Sequence, residues 1–377
     1  MKHLHGMARV ALLIAAAALA AYSSAPKRPD PTPLTPAPGI LQVKAAWSAR
    51  VGPVPATFST AVADSGAFVA SSDGAVISID AASGAVNWRA QVAGGIEAGV
   101  GSDGNFTAVV DRANALVSIG PKGQILWRYQ LPTSVITAPA VTGGVIVVQG
   151  ADQRLWAFNG ATGEVLWTDE QRAPALLLQQ AGGIVTMRGA VVLGDALGHI
   201  TALQIANGVP IWDTPLTHPK GSTEVERVVG ITGFPSVADR VVCARAYQAV
   251  VGCLELKGGV PRWTVPSDGA TGVSQDGNIV VGSDADGTVQ AWEVADGKPA
   301  WRNTQLRYRA VSTPLLVGAT VAVGDYQGEV SFLSAKDGTL VGRVATDGTA
   351  IGSAPVAAGS IMVVVTQGGG IYGFQPE

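Results

Sequence analysis

Tryptophan returns along the chain at Trp47, Trp88, Trp127, Trp167, Trp212, Trp263 and Trp301, at intervals of about forty residues, and self-similarity at that period marks a repeat architecture. Each Trp closes the same run: an apolar stretch, a turn with Gly or Asp, a second apolar stretch, an acidic or small residue, Gly, then the Trp. Segments 67–88, 146–167 and 280–301 show it most plainly. Within the unit apolar residues alternate, as in Gly287-Thr288-Val289-Gln290-Ala291-Trp292 and Gly74-Ala75-Val76-Ile77-Ser78-Ile79, which is the period of a strand. The turns carry Asp73-Gly74, Asp286-Gly287, Asp296-Gly297 and Asp337-Gly338, pairs that tolerate positive φ. Three hairpin-linked strands and a fourth ending near Trp make one propeller blade.

The ends of the chain supply the count. The last full unit runs over 321–342, with Gly342 standing where Trp is expected, and 351–374 offers three more strands without a fourth. Trp47 sits in a fourth strand with no blade before it. The segment Val43 to Arg50 therefore completes the C-terminal blade. The predicted fold is all-β: an eight-bladed β-propeller of four-stranded antiparallel blades, closed by an N-terminal strand, which leaves only short sheet edges. The repeated Trp are expected to pack between blades, with each indole N–H finding a backbone carbonyl.

Composition narrows the function classes. With 47% hydrophobic and 14% charged residues the chain has ample core for one cooperative ring. A net charge of -3 and the absence of any basic run argue against nucleic acid and against direct attraction to an anionic membrane.

Lys2 and Arg9 precede an apolar run from Val10 to Ala21, the length of a signal-peptide core and too short to span a bilayer. Residues 1–21 are read as an export signal, so the protein is expected in the periplasm. Leu19-Ala20-Ala21-Tyr22 resembles a lipoprotein cleavage box in which Tyr22 stands where the acylated Cys is required. Either an ordinary signal peptidase cuts nearby or Tyr22 replaces an original Cys. Residues 22–42, with Pro26, Pro29, Pro31, Pro33, Pro36 and Pro38, are expected to be an extended, semi-rigid segment, serving either as a membrane tether or as a spacer after the signal. The propeller occupies 43–377.

The two cysteines, Cys243 and Cys253, lie on consecutive strands, and an oxidising compartment permits a disulfide. Register decides: pairing in which residue numbers sum to 496 brings the sulfurs together, whereas a two-residue turn at Gln248-Ala249 sends them to opposite faces.

Catalytic chemistry is sparse. Outside the leader only His199 and His218 remain, too few for a His-rich metal site or a His-dependent triad. Gly99-Val100-Gly101-Ser102-Asp103-Gly104 matches a dinucleotide glycine pattern without the helix it needs. Asp284-Ala285-Asp286-Gly287 lacks the later ligands of a calcium loop, and Glu224 with Glu226 lacks a partner acid. The sequence predicts no enzyme activity, no metal and no cofactor.

One departure from the repeat is informative. Most Trp intervals are 38 to 41 residues, but Trp167 to Trp212 is 45 and Trp212 to Trp263 is 51. Both insertions fall between the fourth strand of one blade and the first of the next, so they emerge on one face as a continuous patch. Long connections of this kind carry function. The first contains Leu176-Leu177-Leu178-Gln179, the second Lys220, Glu224 and Arg227. Leu176 and Leu178 either point outward, as an apolar patch rimmed by polar groups, or belong to the core of a first strand.

The repeat resembles that of the quinoprotein-type propellers, carried by segments such as Ala157-Phe158-Asn159-Gly160-Ala161-Thr162-Gly163-Glu164-Val165-Leu166-Trp167. Within that superfamily the chain resembles the BamB lipoproteins of outer-membrane β-barrel assembly. The residues that carry this are the degenerate lipoprotein leader, Trp47-Ser48, Gly221-Ser222-Thr223-Glu224-Val225-Glu226-Arg227, Ala246-Tyr247, Ser312-Thr313-Pro314 and Val323-Gly324-Asp325-Tyr326-Gln327-Gly328. The resemblance implies a non-enzymatic scaffold subunit at the inner face of the outer membrane. Such a subunit docks on the periplasmic repeats of the barrel-inserting subunit and assists delivery of unfolded outer-membrane proteins. It also places the docking surface on the two insertions, at Leu176, Leu178, Gln179, Glu224, Arg227, Gly230 and Thr232. Where family members present Leu, Leu and Arg this chain has Leu176, Leu178 and Gln179, and where they present two Asp it has Gly230 and Thr232.

Two other readings follow from the same fold. A quinone-cofactor dehydrogenase would need a calcium-binding carboxylate set and a free stacking Trp, and only Trp156 and Trp292 are not used by the repeat. A free periplasmic propeller would bind peptide or glycan in its funnel and would not bind the assembly subunit.

Overall fold

The computed structural model describes residues 29–169, 182–219 and 228–376. Its sheets are eight, each of four antiparallel strands. Blades 1 to 7 occupy residues 61–91, 96–130, 140–169, 184–215, 231–266, 273–303 and 315–345 in order, each running from an inner strand through two middle strands to an outer strand. Blade 8 joins the two ends of the chain: Val356–Ala358, Ile361–Val365 and Gly370–Pro376 are followed in space by Val43–Arg50, in a register from Val43↔Pro376 to Arg50↔Gly370. This is the predicted eight-bladed ring with its predicted closure.

The core lies in the middle strands. Apolar side chains such as Ile77, Ile79, Leu116, Phe158, Leu203 and Leu333 are fully buried between neighbouring blades, because both faces of each middle strand meet another sheet. Outer strands alternate toward solvent instead, leaving Val86, Val165, Ile211 and Val260 exposed.

The forty-residue period has a contact behind it. Trp47, Trp127, Trp167, Trp212, Trp263 and Trp301 each donate an indole N–H to a carbonyl of the following blade, at Ala81, Gly160, Ile205, Leu256, Val294 and Ala335, all at 2.8 Å. Each ring then lies on the glycine that turns the next blade from its third strand to its fourth. Gly297, for instance, has φ +74, and a Cβ there would fall 2.6 Å from Trp263 Cδ2. That position needs glycine twice over, for the left-handed backbone and for the neighbouring indole. Blade 8 has no such hairpin, since its third and fourth strands come from opposite ends of the chain. Blade 7 accordingly has Gly342 in place of Trp, and a Cβ on Gly342 would stand 2.5 Å from the Leu41 carbonyl oxygen.

Cys243 and Cys253 are joined in a disulfide. They face each other across the middle strands of blade 5, in the register whose members sum to 496. The turn that sets it has three residues, Tyr247, Gln248 and Ala249, with Gln248 at φ 46 and Ala249 N–H donating to the Ala246 carbonyl at 3.2 Å. The described part of the Pro-rich segment forms no strand and lies against blade 7.

Candidate docking surface

The two insertions leave the ring at the junctions of blades 3 and 4 and of blades 4 and 5. Leu176, Leu178, Gln179, Glu224 and Arg227 lie outside the described residues; the roots of both insertions are described, and they are tied together. The inner strand of blade 4 is Ile184–Met187. Just before it, Gly182 bridges Gly233 of blade 5 in parallel, and the Gly183 amide donates to the Gly233 carbonyl at 2.8 Å. The end of the first insertion is thus bonded to the strand that the second insertion feeds.

That strand, Ile231–Ala238, is broken by a bulge between Thr232 and Ser236. Gly233 takes φ +65 there, and the following Pro235 has no amide to keep a ladder running. The bulge turns Phe234 outward, 42% exposed, with its ring over Gly183, where any Cβ would collide with it. Phe234 was missed by the sequence reading. Its signal was Gly-Phe-Pro inside an otherwise regular strand, a combination that marks a bulge rather than a ladder.

Gly230 and Thr232 are brought to this junction but not to its surface. Gly230 is buried, its carbonyl accepts the Tyr247 amide at 2.9 Å, and a Cβ would come 3.2 Å from Ala196 Cα. Thr232 is 2% exposed, with its hydroxyl turned toward the Thr271 carbonyl at 3.5 Å.

Behind Thr232, and paired with it in register, stands Arg245, fully buried. Its guanidinium bonds the Ser283 carbonyl, lies 3.6 Å from Asp284 and faces the Trp292 ring at 6.0 Å. Burial pulls it down to about 10 against the opposing pull of Asp284 and Asp268, and burial pushes Asp284 up. The cost of desolvating such a pair offsets much of its Coulombic gain.

Chemistry elsewhere is limited. His199 Nδ1 and Thr201 Oγ1 both bond Asp213, at 3.1 and 2.9 Å, so the carboxylate sits between them and no hydroxyl is offered to the imidazole as a nucleophile would be. Asp284 and Asp286 belong to a turn in which Gly287 N–H donates to the Asp284 carbonyl at 2.9 Å, and Asp286 pairs with Arg307 at 2.8 Å. A cavity of about 400 Å³ opens at the funnel, lined by Thr271, Asp284, Tyr326 and Gln367 among others. Its carboxylate is engaged by Arg245 and its ring by Arg309, 5.3 Å away. Trp156 and Trp292 are 4% and 2% exposed within the sheets. Among the described residues, that donor set does not fit a calcium-bound quinone.

The family model described as outer membrane protein assembly factor BamB matches residues 72–303. The outer membrane protein assembly factor BamB of Burkholderia pseudomallei (strain K96243) is 41% identical over 373 residues, 98% of each chain. Among solved structures, BamB from Moraxella catarrhalis is similar with a TM-score of 0.80 at 22% identity, covering 89% of this chain and 100% of that one. The quinohemoprotein alcohol dehydrogenase from Comamonas testosteroni is similar with a TM-score of 0.68 at 13% identity, covering 89% and 77%. At those identities the two structures speak to the fold alone.

Proposed function

The chain belongs to the BamB family of outer membrane protein assembly factors, and from that premise we propose that it is a non-enzymatic scaffold of outer-membrane protein assembly. It works in the periplasm at the inner face of the outer membrane. Its two insertions dock on the periplasmic repeats of the barrel-inserting subunit, and the rigid ring holds those repeats in place while unfolded outer-membrane proteins are delivered. Leu176 and Leu178 are the apolar anchors; Gln179, Glu224 and Arg227 form the polar rim.

The observation that carries this reading is the Gly182–Gly233 junction, which binds the roots of both insertions into one unit with exposed Phe234 at its centre. A partner surface wants such an arrangement: an apolar centre, a polar rim and a rigid base. With Gly230 and Thr232 turned inward, affinity rests on apolar contact rather than on ion pairs.

The test is a titration of the mature chain against the isolated periplasmic repeats. Each anchor Leu truncated to Ala removes about 2 kcal/mol, roughly thirtyfold in Kd. Loss of binding in Leu176→Ala with Leu178→Ala, with the thermal midpoint unchanged, supports the scaffold. Absence of binding by the unsubstituted chain overturns it and turns attention to the funnel as a peptide or glycan site.

A further inference from the structure

Residues 30–42 run along the outer side of blade 7 and are fastened to it. The Thr32 amide donates to the Arg307 carbonyl at 3.0 Å, and the Thr32 carbonyl accepts from Arg309 Nη1 at 3.2 Å. The Thr35 carbonyl accepts from Arg343 Nη1 at 2.7 Å, and the Leu41 amide donates to the Val341 carbonyl at 2.9 Å. Leu34 packs on the core cluster that contains Trp301 and Leu306, and Leu41 on the one that contains Phe332 and Phe374. Side chains turned to the ring are half-buried, whereas Thr35, Pro36, Pro38 and Ile40 face solvent.

The receiving side is built for this. Arg309 is buried, with Nε bonded to Asp325 at 2.7 Å and Nη2 to Gln327 at 2.5 Å, which leaves Nη1 aimed at Thr32. The loop that presents Arg307 and Arg309 holds two residues other than glycine at positive φ, Tyr308 at 60 and Ala310 at 46. Each costs about 1 kcal/mol or more, a strain that surrounding contacts must over-determine. The strap also explains the lost Trp of blade 7: Gly342 is bare because Leu41 passes over it. The prolines suit the position, since residues without an amide N–H cover an edge and offer little to a further strand.

We infer that residues 30–42 are a strap that fixes where the N-terminal end leaves the ring, so that blade 7 is the side presented to the membrane surface. This rests on the reading above, in which the ring works at the outer membrane, taken with the tether alternative for residues 22–42, in which the N-terminal end is held at the membrane. A free segment from residue 22 to Val43 would let the ring swing through about 70 Å; fastening at Thr32 shortens the leash to about 35 Å. In an eight-bladed ring blade 7 stands opposite blade 3, so both insertions fall on the half of the ring turned away from the membrane.

The experiment uses the full mature chain. Tyr22→Cys completes the cleavage box, so the chain can be lipidated by the host and reconstituted in vesicles of phosphatidylethanolamine and phosphatidylglycerol. A fluorophore is placed at Lys336→Cys on blade 7 or at Glu164→Cys on blade 3, and quenching by a spin-labelled lipid is compared. The strap predicts several-fold stronger quenching at position 336, and amide exchange at Thr32 and Leu41 at least about tenfold slower than in an unstructured peptide. Releasing the strap with Gly342→Val, or with Leu34→Ser plus Arg343→Ser where the first does not fold, should remove both effects while exchange of the blade cores stays slow. Equal quenching at the two positions in the strapped chain, or free exchange at Thr32 and Leu41, overturns the inference. Neither readout involves the periplasmic repeats, so a failure of docking and a failure of the strap are told apart.

Discussion

The contact between Trp263 and Gly297 allows the repeat to be tested as an energetic unit. Gly297→Ala introduces a Cβ at φ +74 that would lie 2.6 Å from Trp263 Cδ2 and 2.7 Å from Cε3. The left-handed backbone costs about 1 kcal/mol for Ala, and moving a packed indole adds about 1–3 kcal/mol, so the substitution should destabilise by roughly 2–4 kcal/mol. Trp263→Ala should cost about 3 kcal/mol, because it empties an inter-blade contact and leaves the Val294 carbonyl, bonded at 2.8 Å, without its donor. Combined, the steric part of the glycine substitution has nothing to strike. In the Trp263→Ala background Gly297→Ala should therefore cost only its backbone share, a coupling of about 1–3 kcal/mol. Gly258, at φ +84 with nothing within 4 Å of a Cβ, is the control, since Gly258→Ala carries the backbone share alone. The assay is guanidinium unfolding of these five chains, the parent included, followed by far-UV circular dichroism and compared at equal slopes. Equal cost of Gly297→Ala with and without the indole, within about 0.5 kcal/mol, would refute the claim that the Trp-to-Gly contact sets the repeat.

Four further outcomes follow. Replacing both Cys243 and Cys253 by Ala opens a loop of sequence separation 10 and should lower stability by about 2–3 kcal/mol; an unchanged unfolding midpoint would mean the strand pair is held without the bond. Phe234→Ala should weaken binding to the periplasmic repeats while shifting the midpoint little, because the ring is 42% exposed; a loss of stability with binding intact would make Phe234 a packing residue. Arg245→Met together with Asp284→Asn should fold at least as stably as the parent, since it removes a buried charge pair whole, whereas a large drop would show that the pair is needed. Asp73 and Asp337 are held below the usual carboxylate range, first by hydroxyl bonds from Ser71 and Thr339. A folded pKa below the unfolded one gives stability that is present above about pH 4 and drains as pH falls through the folded value. The acid limb of a midpoint-against-pH curve should flatten in Asp73→Asn plus Asp337→Asn, and an unaltered limb would place acid lability elsewhere.

The ring was legible because its repeat is written in residues with no substitute. An indole that must reach one carbonyl and lie on one glycine leaves a period that side-chain exchange cannot blur, so Trp47, with the three strands of 351–374 that lack a fourth, marks blade 8 as shared between the chain ends. Gly342 was legible only as an absence, since its cause is a segment about three hundred residues away in sequence. The cysteine register could not be read because a three-residue turn with Gln248 in a left-handed conformation is not dictated by any glycine or asparagine there. The site was half legible. Interval lengths located the insertions, but burial of Gly230 and Thr232 and exposure of Phe234 depend on a bulge and on a parallel bridge between two blades, which no local period encodes. Proline content likewise indicated an extended segment without indicating what it would lie upon.

Closure by Val43–Arg50 against Gly370–Pro376 also dictates an order in time. Of the ring's strands, synthesis makes Val43–Arg50 first and its partner last. For the whole of that interval this strand has no neighbour to bond, and seven blades can stack into an open arc with a bare sheet face at each end. Bringing together residues more than three hundred positions apart is the slowest contact the chain makes. Damage to the last few residues should then act like an unfastened clasp: most of the ring already built, but open, sticky and within reach of proteases.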